Sequence, residues 1–476
     1  MMSSNKEVTI TMTNKRSPES ISMTRIRLVE VGCIIISLMF TSFFAYKYLI
    51  NPSVNTNANK TKYQIIYDAI KSYAIEGTII DRDGTTILGN AAIETRATAD
   101  YPQNLSYAWL LGYYSVNEHR QNSYGLRGNL KDYLLFHLDQ NNQGALVKLT
   151  TNTDLQNYAY QLLDGMEGSI TVLDNQTGEI LCLSSQSTVD FNVNDPDDML
   201  ASNIAESQFR RGTFEKDPPG STFKVITAAA ALTMQEDENL DDSFLQFNDT
   251  GSYIPAGSDF VITNFQNQVF GSIDMNTALA KSCNCYFADL GIRVGADKLS
   301  KMMNAFMVGK DITIPYLDTI HSSYNIGNND NAELAQTAFG QGNTTITPLH
   351  IAMMAQAIAN DGVMLQPHIV KSIQSDGRTL YRSSKNSLST TTTHSVNEKL
   401  KEYMHSAALE YGLTESGYGM VYAKTGTAEC ANNRIHSYMM GFTERYSFCI
   451  SANNNNGSAE LYGIGQRLVK YLNNLN

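Results

Sequence analysis

Positive charge is scarce in this chain. Its 476 residues carry 35 Lys and Arg against 47 Asp and Glu, a formal net charge of -12. Phosphate binding wants a basic face, so the balance argues against nucleic acid as a partner. Cysteine is sparse as well. Cys33, Cys182, Cys283, Cys285, Cys430 and Cys449 include no Cys-x-x-Cys pair, which removes the usual zinc pattern. Cys283 and Cys285 are separated by one residue, a poor spacing for an unstrained mutual disulfide. Six thiols scattered over so long a chain build no disulfide framework and read as free or buried. There is no internal repeat. Charged residues make up only 17%, but hydrophobic residues make up 42%, a globular balance and not a disordered one.

Long runs that are both uncharged and strongly apolar are missing except at one place. Val31 to Tyr46 (VGCIIISLMFTSFFAY) carries no charge, and extension to Ile50 adds only Lys47. A span of about 20 residues crosses a bilayer, so 31–50 is just long enough. Lys6, Lys15, Arg16, Arg25 and Arg27 precede it. By the positive-inside rule, residues 1–30 form a cytoplasmic tail and everything after Ile50 lies outside the cell. A cleaved signal peptide is the alternative. Tyr46, Tyr48, Leu49 and Ile50 are bulky where small residues would be cut, which favours an uncleaved anchor.

Residues 51–62 are a polar, Asn-rich tether opening a first extracytoplasmic region, 51–145. In it Gly77 to Gly84 reads as a strand running into a turn, and Tyr133 to Phe136 as helical. It holds no catalytic constellation. The larger region is 146–476. It opens with a helix near 154–163 and a hairpin, Ser169–Asp174 and Glu179–Leu183 around Asn175-Gln176-Thr177-Gly178. The run 221–235 is an Ala-rich helix after Pro218-Pro219-Gly220. Ser383 to Thr393 reads as a polar surface loop. A helix over 397–411, strands over 420–427, 436–442 and 446–452, and a helix over 464–472 close the chain. The class is α+β, an antiparallel sheet flanked by helices.

Three short patterns carry chemistry. In Ser221-Thr222-Phe223-Lys224 the serine and lysine share one helix face, about 5–6 Å apart. A serine hydroxyl needs a neighbour to take its proton, and a lysine neutral at working pH can do so. Pro-Pro-Gly puts Ser221 at a helix start, where free N–H groups favour developing negative charge. Alone the spacing is weak, because Ser3 and Lys6 share it in the tail. Its bland counterpart is an N-cap serine with a solvated lysine. Ser282-Cys283-Asn284 offers a proton relay in Ser282 and an amide holder in Asn284, or else plain loop capping. Lys424-Thr425-Gly426-Thr427 is the single Lys-[Ser/Thr]-Gly match in the chain. Glycine is costly in a strand unless something approaches the backbone closely, and a substrate added along the strand edge would do so. Lys424 supplies positive charge, and Thr425 and Thr427 offer hydroxyls to a carboxylate. The three come in order, 61 and then 142 residues apart, and the ordered set is what raises the odds.

The flanking text resembles the class B, monofunctional penicillin-binding proteins, above all the short penicillin-binding protein A group. The matching stretches are ASNIAESQFRRGTFEKDPPGSTFKVITAAAAL around Ser221 and ALAKSCNCYFADLG around Ser282. AFGQGNTTITPLHIAMMAQAIANDGVMLQPHIV (338–370), AKTGTAE (423–429) and HSYMMGF (436–442) continue it. Upstream, EGTIIDRDG (76–84), SYGLRG (123–128) and LDNQTGEIL (173–181) also match. Three places depart from the family pattern. Glu76 stands where arginine is usual, Ala423 where glycine is frequent, and Arg127-Gly128 disturbs a usual acidic position.

The resemblance implies a pedestal domain over 51–145, a transpeptidase domain over 146–476, and D,D-transpeptidase activity without a metal or cofactor. Its donor would be a peptidoglycan stem peptide ending in D-Ala-D-Ala. Ser221 would attack the penultimate carbonyl, Lys224 would take the serine proton, and Ser282 with Lys424 would protonate the leaving amine. Asn284 would position the donor, and Thr425, Gly426 and Thr427 would line its carboxylate end. Backbone N–H groups of Ser221 and Thr427 would form an oxyanion hole, a device worth about 10²–10³ in rate. β-Lactams would acylate Ser221. A polytopic glycosyltransferase in the membrane is the implied protein partner. The competing readings are a D,D-carboxypeptidase or β-lactamase-like hydrolase, and a non-enzymatic β-lactam sensor or scaffold. A sensor needs an output domain, for which a 30-residue tail is too short.

Overall fold

The computed structural model describes residues 27, 29–39, 41, 62–91, 103–114, 123–186, 210–326, 330–413, 419–430, 434–454 and 457–475. Chain contacts divide it into two units, 1–66 and 67–476. In the first unit residues 29–39 are helical, and Val31, Ile34, Ile35, Ile36, Leu38 and Met39 are exposed. Among the described residues no helix is long and apolar enough to cross a membrane. The anchor expectation also covers 42–50, which lie outside the described residues.

In the second unit the main sheet has five strands. They are β1 (Gly168–Asp174), β2 (Ile180–Ser185), β3 (Tyr422–Cys430), β4 (Arg434–Phe442) and β5 (Tyr446–Asn454). Their order is β3-β4-β5-β1-β2, antiparallel throughout. The chain's last strand therefore pairs with its hairpin from residue 168 onward, closing the domain on itself. Six helices place the sheet and the site. They are α1 (Thr153–Leu163), α2 (Lys224–Asp237), α3 (Asn284–Val294), α4 (Pro348–Ala359), α5 (His394–Glu410) and α6 (Tyr462–Asn473).

Side-chain alternation assigns the two faces of the sheet. Ile170, Val172, Met439, Phe448 and Ile450 pack with Leu155, Leu162, Leu468 and Val469 of α1 and α6. Leu173, Tyr438, Met440 and Cys449 face the other way, into the core that holds α2, α3 and α4. α4 is buried from Pro348 to Ile358, as a helix apolar all round must be. Its Thr347 N-cap accepts from His350 N, and Pro348 sits at the first turn.

A second five-stranded sheet takes Ile79–Ile80, Thr86–Leu88, Leu146–Leu149, Val370–Ser375 and Arg378–Arg382. The predicted strand and turn at 77–84 are there: Asp81 Oδ1 accepts from Asp83 N and Thr85 N, fixing the turn. The polar stretch 383–393 differs from its reading as a loop. Ser387–Thr390 is a strand paired antiparallel with Val363–Leu365. Backbone pairing and the Ser389 hydroxyl, 2.7 Å from Ala305 O, outweigh the polar composition. Cys33, Cys182, Cys283, Cys285 and Cys449 are all unpaired.

Candidate active site

The Ser221 segment starts tighter than a plain α-helix. Gly220–Phe223 is one 3-10 turn, and α2 continues from Lys224. Gly220 makes this start possible. Its φ is +54°, and a Cβ there would lie 2.6 Å from Thr427 O and 2.9 Å from Thr427 N. Gly426 does the same from the strand side, where a Cβ would fall 2.7 Å from Pro219 O and 3.1 Å from Ser221 N. The room that the strand glycine provides is thus taken by the chain's own helix start, not by a substrate. This close approach brings the Ser221 and Thr427 backbones together.

Lys224 and Lys424 come from a helix and a strand to meet at one hydroxyl. Ser282 Oγ lies 3.2 Å from Lys224 Nζ and 3.1 Å from Lys424 Nζ. Lys224 Nζ also donates to Ser282 O at 2.7 Å and to Asn284 Oδ1 at 2.7 Å. Lys424 Nζ donates to Tyr411 OH at 3.2 Å and Thr425 O at 2.9 Å. Ser282 holds a left-handed φ of +57°, unfavourable for a residue with a Cβ. The surrounding bonds hold that conformation and turn both its oxygens toward Lys224.

Both lysines are wholly buried. Burial lowers the Lys224 pKa well below the ordinary lysine range, and the neighbouring Lys424 charge lowers it further. Burial brings Lys424 down to about 7. The neutral amine that a lysine base requires is therefore within reach near neutral pH.

The remaining predicted residues gather at the same place. Asn284 is held by Lys224 at Oδ1 and donates from Nδ2 to Thr263 O at 2.9 Å. Thr427 Oγ1 is 3.1 Å from Ser458 Oγ and accepts from Ser458 N at 3.1 Å. Thr425 is buried, and its N–H points to Tyr411 OH at 3.4 Å. All eight predicted site residues thus fall on the α2 start, the loop into α3, and β3. Tyr411 and Asn264 belong to the neighbourhood too, and the motifs did not point to them. Both reach the site only through folding, and no local spacing marks them.

A cluster that could take a cation lies beside the site. Glu215, Asp217 and His436 offer ligand atoms within 4.8 Å of one another, as do Asp361, His394 and Glu398 on the surface. In the first cluster Arg211 lies 2.9 Å from Glu215 and His436 Nδ1 lies 3.0 Å from Asp217, so protein cations and hydrogen bonds already serve these carboxylates.

Residues 168–467 match the penicillin-binding protein transpeptidase domain model. That is more than half of the chain. It belongs to the penicillin-binding protein transpeptidase family. Within the family the likeness is to the penicillin-binding protein A group. The peptidoglycan D,D-transpeptidase PbpA of Mycolicibacterium smegmatis is 30% identical over 306 residues, 58% of this chain and 60% of that protein's length. The crystal structure of PBPA from Mycobacterium tuberculosis superposes with a TM-score of 0.75 at 25% identity, covering 84% of this chain and 100% of that one. The penicillin G acyl-enzyme complex of that same protein superposes equally well, with a TM-score of 0.75 at 25% identity over the same 84% and 100%.

Proposed function

We propose that this protein is a membrane-anchored peptidoglycan D,D-transpeptidase working through a Ser221 acyl-enzyme. The observation that carries it is the Ser282 hydroxyl held between the Lys224 and Lys424 amines, beside the helix start that presents Ser221. The M. tuberculosis acyl-enzyme complex with the same fold supports it.

In the reaction, Ser221 Oγ attacks the penultimate carbonyl of a stem peptide ending in D-Ala-D-Ala. Neutral Lys224 takes the hydroxyl proton. The N–H groups of Ser221 and Thr427 stabilise the oxyanion, where preorganised donors are worth about 10²–10³ in rate. The C–N bond breaks, and terminal D-Ala leaves with a proton relayed through Ser282 and Lys424. Asn284 fixes the donor, and the Thr425-Gly426-Thr427 segment receives its carboxylate. An amine of a neighbouring stem peptide then takes the acyl group, restoring the Ser221 hydroxyl. β-Lactams enter by the same first step and stay as slow-leaving adducts.

The uncharged run 31–46, its basic N-terminal flank and the exposed apolar helix at 29–39 support a single-pass anchor. The layout is a tail at 1–30, the anchor at 31–50, a pedestal at 51–145 and the catalytic region at 146–476. A polytopic glycosyltransferase is the proposed membrane partner.

Mass spectrometry after benzylpenicillin tests the chemistry. The expected result is one adduct on Ser221 that lasts hours, absent in Ser221→Ala. An adduct lost within seconds would make the protein a hydrolase, and undiminished labelling of Ser221→Ala would remove the assignment.

A further inference from the structure

Asn264 has both polar atoms of its side chain engaged, and all partners of its oxygen lie at Cys283, Asn284 and Cys285. It is 3% exposed. Its Oδ1 accepts from Asn284 N at 2.9 Å, Cys285 N at 3.1 Å and the Cys283 thiol at 3.3 Å. Its Nδ2 donates to Asp249 Oδ2 at 2.9 Å and Gln268 O at 3.0 Å. Donors surround one end of the amide and acceptors the other, so its orientation is fixed.

Asp249 secures the far side. It is 1% exposed, and it accepts from Phe270 N at 2.8 Å and Gly251 N at 3.1 Å. The residue before Asn264 contributes as well, since Thr263 O accepts from Asn284 Nδ2. Asn284 Oδ1 in turn holds Lys224 Nζ at 2.7 Å. An unbroken series of hydrogen bonds therefore runs from Asp249 through Asn264 and Asn284 to Lys224.

We infer that Asn264 is a positioning residue for the acylation step, fixing the Asn284 backbone so that the Asn284 amide holds Lys224 at Ser282. The inference rests on the reading of Lys224 as the proton acceptor for Ser221. Asn264 touches no reacting atom. It acts on the orientation of the base, so its loss slows the chemical step more than ligand binding.

The conservative variant Asn264→Asp separates this role from plain folding support. The carboxylate still accepts from the Asn284 and Cys285 amides. It cannot donate to Asp249, and two carboxylates at that distance repel. When they share one proton, the lost hydrogen bond returns. The titratable groups facing position 264 are Asp249, Cys283 and Cys285, with Lys224 one residue further on. Burial raises both thiols, to about 11 and about 12, so they stay neutral throughout. The carboxylate pair is what titrates.

The experiment is stopped-flow acylation of the full-length protein in detergent by a fluorescent penicillin, resolved into a binding constant and an acylation rate constant. That rate constant is read per active molecule and does not depend on the folded fraction. Asn264→Ala should lower it about tenfold to a hundredfold, with the binding constant within about twofold of wild type. Asn264→Asp should match Asn264→Ala at about pH 8 and recover toward wild type, compared at equal pH, near about pH 5. If Asn264→Ala does not fold, the pH recovery of Asn264→Asp carries the test alone. Unchanged rate constants with only a smaller labelled amplitude would overturn the inference, as would a pH-independent defect in Asn264→Asp. Wild type that forms no Ser221 adduct would overturn the acyl-enzyme reading on which the inference rests, and full acylation by Lys224→Arg would overturn the base assignment, which distinguishes these failures from that of the inference.

Discussion

Glu76 and Arg127 form a buried, two-point ion pair. Arg127 Nε lies 2.7 Å from Glu76 Oε1, and the second guanidinium nitrogen is 2.5 Å from Glu76 Oε2. They are 1% and 2% exposed. These are two of the positions at which the sequence departs from its family pattern, which has arginine near the first and an acidic residue near the second. The two departures meet in one contact, where their opposite charges satisfy each other. Desolvating two charges demands this bidentate geometry.

Breaking that pair should be costly. Arg127→Ala leaves a carboxylate buried without its cation, and a loss of about 3–5 kcal/mol is expected. The exchanged double variant Glu76→Arg with Arg127→Glu should recover most of it. Denaturant unfolding of the single and double variants checks this, and a double variant no better than the singles would show that packing, not charge, dominates.

Lys224→Arg should abolish most acylation although the charge is retained. A guanidinium stays protonated at any working pH and cannot take the Ser221 proton. A loss of about 10²–10⁴ in the acylation rate is expected. Near-wild-type labelling of this variant would assign the base to another group.

Gly426→Ala should lower both acylation and stability. The added Cβ would sit 2.7 Å from Pro219 O and 3.0 Å from Thr222 N, backbone atoms that cannot swing aside. Either the strand or the Ser221 turn must shift. Overpacking of this kind costs about 1–3 kcal/mol, and the displaced turn should slow penicillin acylation at least about tenfold. A crystal structure of the variant with an unmoved turn and full activity would contradict this.

Lys424 should leave a signature in stability against pH. Its folded pKa is pushed down to about 7, from an unfolded value of about 10.4. Between these limits the unfolded chain binds the proton and the folded chain does not. Stability should therefore rise with pH from about 7 to about 10, and the burial penalty is greatest below that window. The melting temperature of Lys424→Met should rise less steeply over the same range. Parallel curves for the two proteins would place the titration elsewhere.

Much of the fold was legible because its elements are locally encoded. The strand pattern around 169–183, the Ala-rich run after Pro218-Pro219-Gly220 and the closing strands at 422–430, 434–442 and 446–454 all lie where the sequence predicts them, with ends shifted by a few residues. Ser387–Thr390 escaped detection because a short polar strand has no apolar alternation. Its pairing with Val363–Leu365 exists only once the chain has folded.

The site divides in the same way. Sequence alone determined which residues to propose for the chemistry, because Ser-x-x-Lys, Ser-x-Asn and Lys-Thr-Gly are short patterns whose order survives without a structure. Tertiary structure decided what each of them touches. Three segments, each more than 50 residues from the next, converge so that one serine hydroxyl lies between two buried amines. Burial, a property of the packed core alone, then moves both lysines toward the neutral form that the proposed chemistry needs. Asn264 and Tyr411 join the site by the same long-range packing, as does the Gly220 and Gly426 contact. Contacts between residues distant in the chain leave no periodicity to read, so these became visible only in the folded molecule.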